Sequence, residues 1–398
     1  MRALAAQVAH AQAHSPAYAE LLADVGPVDS RAALARLPLT RKSELAAAQA
    51  SRALRLGGFA AAPPRRIFQS PGPLYEAEPD ATVADPWRVA RALFAAGIRA
   101  GDLAHVSFSY HLTPAGAMME AGLRALGAGS VPGGVGNTEL QLQALVDLQP
   151  EAYAGTPSFL RILLEKAAEG GLALPHLRRA LVSGEACPPT LVAWFAARGV
   201  DVFQCYATAE LGLIAYQTSA REGLVLDEGV IVEIVRPGSG DPVAEGEVGE
   251  VVVTTLSPHY PLIRFATGDL SAVLPGPCAT GRTQQRLRGW LGRADQSAKV
   301  RGMFVHAGQV AELLRREPAL ARARLVVAGE LAQDQLCLEA ELAAERPATM
   351  GAEVPEGLAE RLALAVRDLT KLRADIRLLA PGSLPNDGRL IDDRRTLG

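Results

Sequence analysis

The 398-residue chain carries 40 basic and 43 acidic side chains, a formal charge of −3, and 49% of its residues are hydrophobic. That balance lacks the basic stripe of a nucleic-acid binder, and 38 glycines with 27 prolines stay below the share of a low-complexity chain. At about 150 residues per domain, the length suits two or three globular domains.

The N-terminal stretch MRALAAQVAHAQAHSPAYAELL is interrupted by His10, Gln12, His14 and Pro16, so it has neither the apolar core nor the cleavage pattern of a signal peptide. No run approaches the roughly 18 apolar residues of a membrane span, so no membrane partner is expected. Cys187, Cys205, Cys278 and Cys337 are far apart and form no C-x-x-C pair. This argues against a disulfide framework or zinc cluster and for a cytoplasmic protein.

The first 60 residues read as short amphipathic helices, with Thr40 as an N-cap before Arg41-Lys42-Ser43-Glu44. Their apolar faces are compatible with a homodimer contact. Residues 86–98 predict a helix with Pro at its first turn, and 104–110 alternate as a strand. Helix 115–129, a strand ending in 129–134, helix 138–150 and a strand leaving at 151–157 continue the rhythm of an α/β sheet. From 220 onward, β-branched runs at 223–235 and 246–256 predict a β-rich subdomain. After residue 292 the order β-α-β-β-α-β predicts a small α+β domain. The expected fold is therefore α/β: a large N-terminal domain over 1–292 and a small mobile C-terminal domain over 293–398, hinged at the polar Gly292-Arg293-Ala294-Asp295.

Four strings stand where open α/β sheets place their ligand crevice, each at the end of an expected strand. They are SGEA (183–186), YATAE (206–210), RFATGDL (264–270) and GRADQSAKVRGMFV (292–305). Singly each is weak, since a glycine-glutamate pair is usually a turn. Their order and spacing, with HSPAYAELL, LARLPLTRKSEL, GGVGNTELQLQALVDLQP, GTPSFL and PGSLP, resemble the adenylate-forming superfamily of acyl-CoA ligases, in particular its phenylacetate-CoA ligase branch.

The resemblance implies a ligase that joins a carboxylic acid to coenzyme A through an acyl-adenylate, using ATP and Mg²⁺. By it, Ser183, Gly184, Glu185 and Ala186 form the adenine-facing loop, where glycine lets backbone approach a flat base. Tyr206, Ala207 and Thr208 line the nucleotide, and Glu210 holds the metal, a hard cation that prefers oxygen. Asp269 accepts the ribose hydroxyls, Arg293 adds a ribose or phosphate contact, Asp295 is the hinge, and Gly302 lines the pantetheine tunnel. Tyr110, Gly134, Gly136 and Phe159 border the acyl group; Tyr110 reads equally well as a core aromatic.

Three features depart from the family pattern. In the phosphate loop, Pro71 and Pro73 lack N–H groups, Ser70 and Gly72 are left as the donors, and Glu76, Glu78 and Asp80 bring negative charge. The C-terminal catalytic lysine is replaced by Arg389, and none of the four lysines, Lys42, Lys166, Lys299 and Lys371, falls in that loop. Ala209 stands where the family has a hydroxyl, and Thr208, one position away, is expected to face the other side of a strand. All three touch the adenylation step, so the alternative to an active aryl- or acyl-CoA ligase is a homologue that binds nucleotide, acyl-adenylate or acyl-CoA without full turnover.

Overall fold

Short apolar runs after residue 100 are buried on both faces, as a parallel sheet covered by helices requires. In the computed structural model the strands Leu103–Val106, Ala152–Gly155, Arg179–Val182 and Asp201–Thr208 run parallel, with Gly129–Pro132 at the outer edge. Beyond Asp201–Thr208 the sheet continues through Gly212–Tyr216, Leu224–Leu226, Arg286–Leu287 and Val273–Leu274, nine strands in all. The first of these additions, Gly212–Tyr216, is antiparallel to its neighbour. Helices Ala115–Leu126, Thr138–Leu148, Pro157–Glu169 and Pro189–Ala196 lie between the parallel strands in sequence. Helix Pro157–Glu169 starts where it does because Pro157 suits the first turn and the Thr156 hydroxyl accepts the Phe159 N–H at 3.3 Å. The structure describes residues 2–51, 53–80, 82–236, 239–291, 293–294, 297–301, 303–329, 334–343, 357–385 and 389–395.

The β-rich part is a four-stranded sheet in the order Thr40–Arg41, Phe265–Ser271, Gly249–Thr255, Val230–Val235. Its first strand corrects the expected cap. The Thr40 side chain donates to the Ile263 carbonyl at 2.9 Å, and the helix Lys42–Ala50 begins one residue later, with the Arg41 N–H donating to Glu44 at 2.9 Å. Buried Arg264 fastens this sheet to the N-terminal helices. Its guanidinium pairs with Glu233 at 3.0 Å and donates to the carbonyls of Ala35 at 2.9 Å and Gly240 at 2.8 Å.

The chain divides into two compact units, Met1–Gly292 and Arg293–Gly398. The second has its own core, including Val310, Leu325, Leu338 and Leu362. It is built on a four-stranded sheet ordered Asp375–Leu379, Gln335–Leu342, Leu320–Ala328, Ile391–Asp393. The short strand Ile391–Asp393 was not expected from the sequence, because three residues carry no period. Among the described residues no helix is long and apolar enough to cross a membrane.

Candidate nucleotide and acyl site

Two of the motif strings, SGEA and YATAE, stand at the C-terminal ends of neighbouring parallel strands in the first unit; RFATGDL lies in the four-stranded sheet of the same unit, and 293–305 belong to the second unit. Strand Arg179–Val182 exits into Ser183, whose hydroxyl donates to the Cys205 carbonyl at 2.8 Å, and then into Gly184 at φ +82°. That left-handed turn leaves Gly184 exposed, with Glu185 and Ala186 half-buried. The Glu185 carboxylate accepts the Ser158 N–H at 3.4 Å. On the next strand, the Tyr206 hydroxyl donates to Asp269 Oδ2 at 2.7 Å, and the Trp290 indole N–H donates to Asp269 Oδ1 at 3.0 Å.

Asp269 is not at a strand end, as the pattern suggested. It lies inside Phe265–Ser271, where the register with Gly249–Thr255 shifts between Glu250 and Val252. Such a bulge re-aims the side chains around it. The result is a buried carboxylate held by the Tyr206 hydroxyl and the Trp290 indole N–H. Trp290 was missed in the sequence because nothing in its local pattern ties it to Asp269.

Glu210 sits in the turn between strands Asp201–Thr208 and Gly212–Tyr216, and it is 2% exposed. Its partner is Lys42, whose Nζ lies 2.6 Å from Glu210 Oε1. Burial works against the Glu210 charge, but Lys42 outweighs it and holds the carboxyl below its ordinary value. Thr208 does not simply face away: its hydroxyl accepts the Leu211 N–H at 3.2 Å, closing the turn that carries Glu210. A magnesium ion on Glu210, which the resemblance implies, does not fit this arrangement. Mg²⁺ keeps an octahedral shell with several waters, whereas this single carboxylate is sealed from solvent and already matched by an ammonium.

The phosphate-loop stretch forms a hairpin, Ile67–Ser70 paired with Leu74–Ala77. Ser70, expected as a phosphate donor, gives its hydroxyl to Glu76 instead. Burial, and secondly the charge of Glu210, push the Glu76 carboxyl up to about 8, so near neutral pH it is largely protonated. Glu78 pairs with Arg66 at 3.2 Å through Nε, and Asp80 accepts the Thr82 N–H at 2.9 Å. Of the three acids, Glu76 is the one that meets Glu210.

Gly134 and Gly136, expected to border the acyl group, have φ of +71° and +72°, conformations that suit glycine. Both carbonyls accept from the Gln141 amide, at 3.1 and 2.7 Å. Gln141 Oε1 in turn accepts from His105 Nε2 and the Ser107 hydroxyl, each at 2.8 Å. Burial lowers the His105 pKa, with Gln141 partly opposing. His105 and Gln141 were missed in the sequence; a polar residue in an otherwise apolar strand was the available signal. Half-buried Phe159 opens its helix. The Tyr110 ring lies against Gly116, where a β-carbon would come within 2.8 Å, and its hydroxyl is buried without a partner.

Arg293 and Arg389 belong to the second unit. Arg293 is half-buried. Arg389 is exposed, and its carbonyl accepts from Arg324 at 3.1 Å. Asp295 and Gly302 lie outside the described residues.

Comparison with known proteins gives the family. The AMP-binding enzyme family profile matches residues 105–257, within the first unit. Phenylacetate-coenzyme A ligase of Thermus thermophilus is 31% identical over 317 residues, 75% of this chain and 71% of that protein. The Escherichia coli K12 enzyme of the same name is 30% identical over 330 residues, 79% of this chain and 75% of that one. A crystal structure of 2-hydroxyisobutyryl-CoA ligase in complex with 2-HIB-AMP and CoA matches with a TM-score of 0.82 at 25% identity, covering 100% of this chain and 90% of that chain. The chain belongs to the phenylacetate-coenzyme A ligase family of acyl-CoA ligases.

Proposed function

We propose that the chain activates an aromatic or other hydrophobic carboxylic acid with ATP and passes the acyl group to coenzyme A. The carboxylate attacks the α-phosphate and pyrophosphate leaves; the thiol of coenzyme A then attacks the acyl carbon and AMP leaves. The observation that carries this reading is Asp269, a buried carboxylate oriented by Tyr206 and Trp290, an acceptor of the kind that ribose hydroxyls require. Lys42 supplies positive charge beside the hairpin 67–77, because nearly half of its side chain stays in solvent while its ammonium holds Glu210. In this reading Arg293 and Arg389 bring charge from the second unit, Asp295 serves as its hinge and Gly302 belongs to the loop that lines the pantetheine tunnel. The test is acid-dependent pyrophosphate release over a panel of aryl and alkyl acids, with and without magnesium.

A second reading, binding without adenylation, is favoured by one feature. Pro71 and Pro73 offer no N–H to a triphosphate, and the Ser70 hydroxyl is spent on Glu76. Separate calorimetric titrations with ATP and AMP decide: similar affinities support the ligase, while AMP binding alone with no pyrophosphate release supports the binding homologue.

Two substitutions test the site. Asp269→Ala is expected to weaken AMP binding by roughly ten- to a hundredfold, the loss of charge-assisted hydrogen bonds of about 1.5–3 kcal/mol. Unchanged affinity places the ribose elsewhere. Tyr110→Phe removes a buried hydroxyl that has no partner, so its melting temperature is expected to stay level or rise, while kcat/KM for the best acid falls about tenfold through a lost substrate hydrogen bond. A less stable variant with unchanged kcat/KM makes Tyr110 a core aromatic.

A further inference from the structure

The end of strand Gly212–Tyr216 far from Glu210 opens into a hollow of about 460 Å³, lined by Phe94, Arg99, Thr218, Ser219, Thr280 and Arg282 among others. The five-residue strand separates it from the nucleotide site by roughly 17 Å. The Arg99 guanidinium is held flat, its central carbon 3.8 Å from the Phe94 ring centre, and its Nη1 donates to the carbonyls of Phe94 and Ile98 at 2.7 and 2.9 Å. Arg282 lies with its central carbon 5.5 Å from the centre of the Tyr216 ring, and its Nε is buried with no acceptor. Among the described residues, neither arginine forms an ion pair, and no acid lines the hollow. A buried N–H without an acceptor has lost its water without replacement, a cost that an arriving oxygen recovers.

We propose that this hollow is a second ligand site, separate from the nucleotide site, that takes a phosphate monoester. Two guanidiniums and the Ser219 hydroxyl offer more donors than one carboxylate can accept, with the Thr280 hydroxyl resting 3.0 Å from Cys278 Sγ, and a tetrahedral dianion has three terminal oxygens to meet them. The volume lies within the range of small-molecule sites and leaves room for an organic body behind the phosphate. Arg99 presents its remaining edge from a stacked, pre-organised plane, so little side-chain freedom is lost on binding.

The test is calorimetric titration of the full chain with ribose 5-phosphate, inorganic phosphate and succinate, in saturating adenosine so that the adenine and ribose positions are filled without adding phosphate. The expected result is one ribose 5-phosphate per chain, inorganic phosphate binding more weakly, and succinate weakest. Arg282→Gln and Arg99→Gln are each expected to weaken ribose 5-phosphate by about tenfold or more, with the melting temperature of the unliganded Arg282→Gln protein unchanged or higher, because its buried Nε has no acceptor to lose. Binding that survives both substitutions, or no binding of either phosphate at millimolar concentration, overturns the site. Succinate binding more tightly than ribose 5-phosphate overturns the phosphate assignment.

Discussion

Replacing Lys42 with methionine is expected to destabilise the first unit by about 1–3 kcal/mol near neutral pH, because it strands the Glu210 carboxylate in the interior. The figure sits below that for a fully buried pair because Lys42 keeps 46% of its side-chain surface exposed while Glu210 keeps 1%, and solvent screens the lysine. The sign with pH follows from the same pair. In the native chain the Glu210 carboxyl is held below its ordinary value, so its contribution is present above the unfolded value and is lost as pH falls through the folded one. In the Lys42→Met variant burial loses its main opponent, leaving the hydrogen bonds from Thr208 and the backbone, and raises the carboxyl, so stability falls as pH rises from about 5 to 8. Adding Glu210→Gln to that variant is expected to return most of the loss, and denaturant melts of the four proteins give the coupling directly. A Lys42→Met protein that melts like the parent at pH 8 defeats this account.

Glu76→Gln is expected to have the opposite effect. The Glu76 carboxyl is raised from 4.5 to about 8, so between those values the folded chain holds a proton that the unfolded chain has released. Stability therefore declines across that window, by about 1.4 kcal/mol per pH unit at most. Glutamine keeps the shape and the bond to Ser70 but never ionises. The variant should match the parent near pH 5 and exceed it by about 3–5 kcal/mol at pH 8.5, read from denaturant midpoints at the two pH values. Equal midpoints at pH 8.5 would mean that Glu76 ionises freely in the fold. Because Glu76 adjoins the hairpin at 67–77, the same variant shows whether its protonation matters to ATP binding.

Much of this architecture was legible in the chain. Apolar runs of strand length alternating with helical periods placed the parallel sheet, and the change of pattern at 292 coincides with the division into two units. SGEA and YATAE were readable because both lie at strand ends, where side chains leave the sheet. Asp269 was placed at a strand end and lies in a bulge instead, since a register shift between two apolar strands has no local sequence mark. Lys42 was passed over because it lies outside the C-terminal loop. Its partnership with Glu210 joins the start of an N-terminal helix to a turn on the central sheet, and only the packing of the first 60 residues brings them together. Ser70 and Glu76 lie within one hairpin, yet the bond that occupies the hydroxyl depends on register.

The anchoring of the N-terminal helices also sets an order of events during synthesis. Gln7 donates to the Ser257 carbonyl across 250 residues of chain, and the Tyr18 hydroxyl accepts the Ile263 N–H across 245. The first segment made therefore cannot dock until the strand near residue 265 has left the ribosome, about 10–50 s later at usual elongation rates. Through that interval its apolar faces stay open while the central sheet assembles. Contacts of such long sequence separation close late, because the loop-closure entropy must be overcome first. The Lys42–Glu210 pair belongs to that last step, so the nascent chain completes its candidate phosphate site only as the first unit finishes folding.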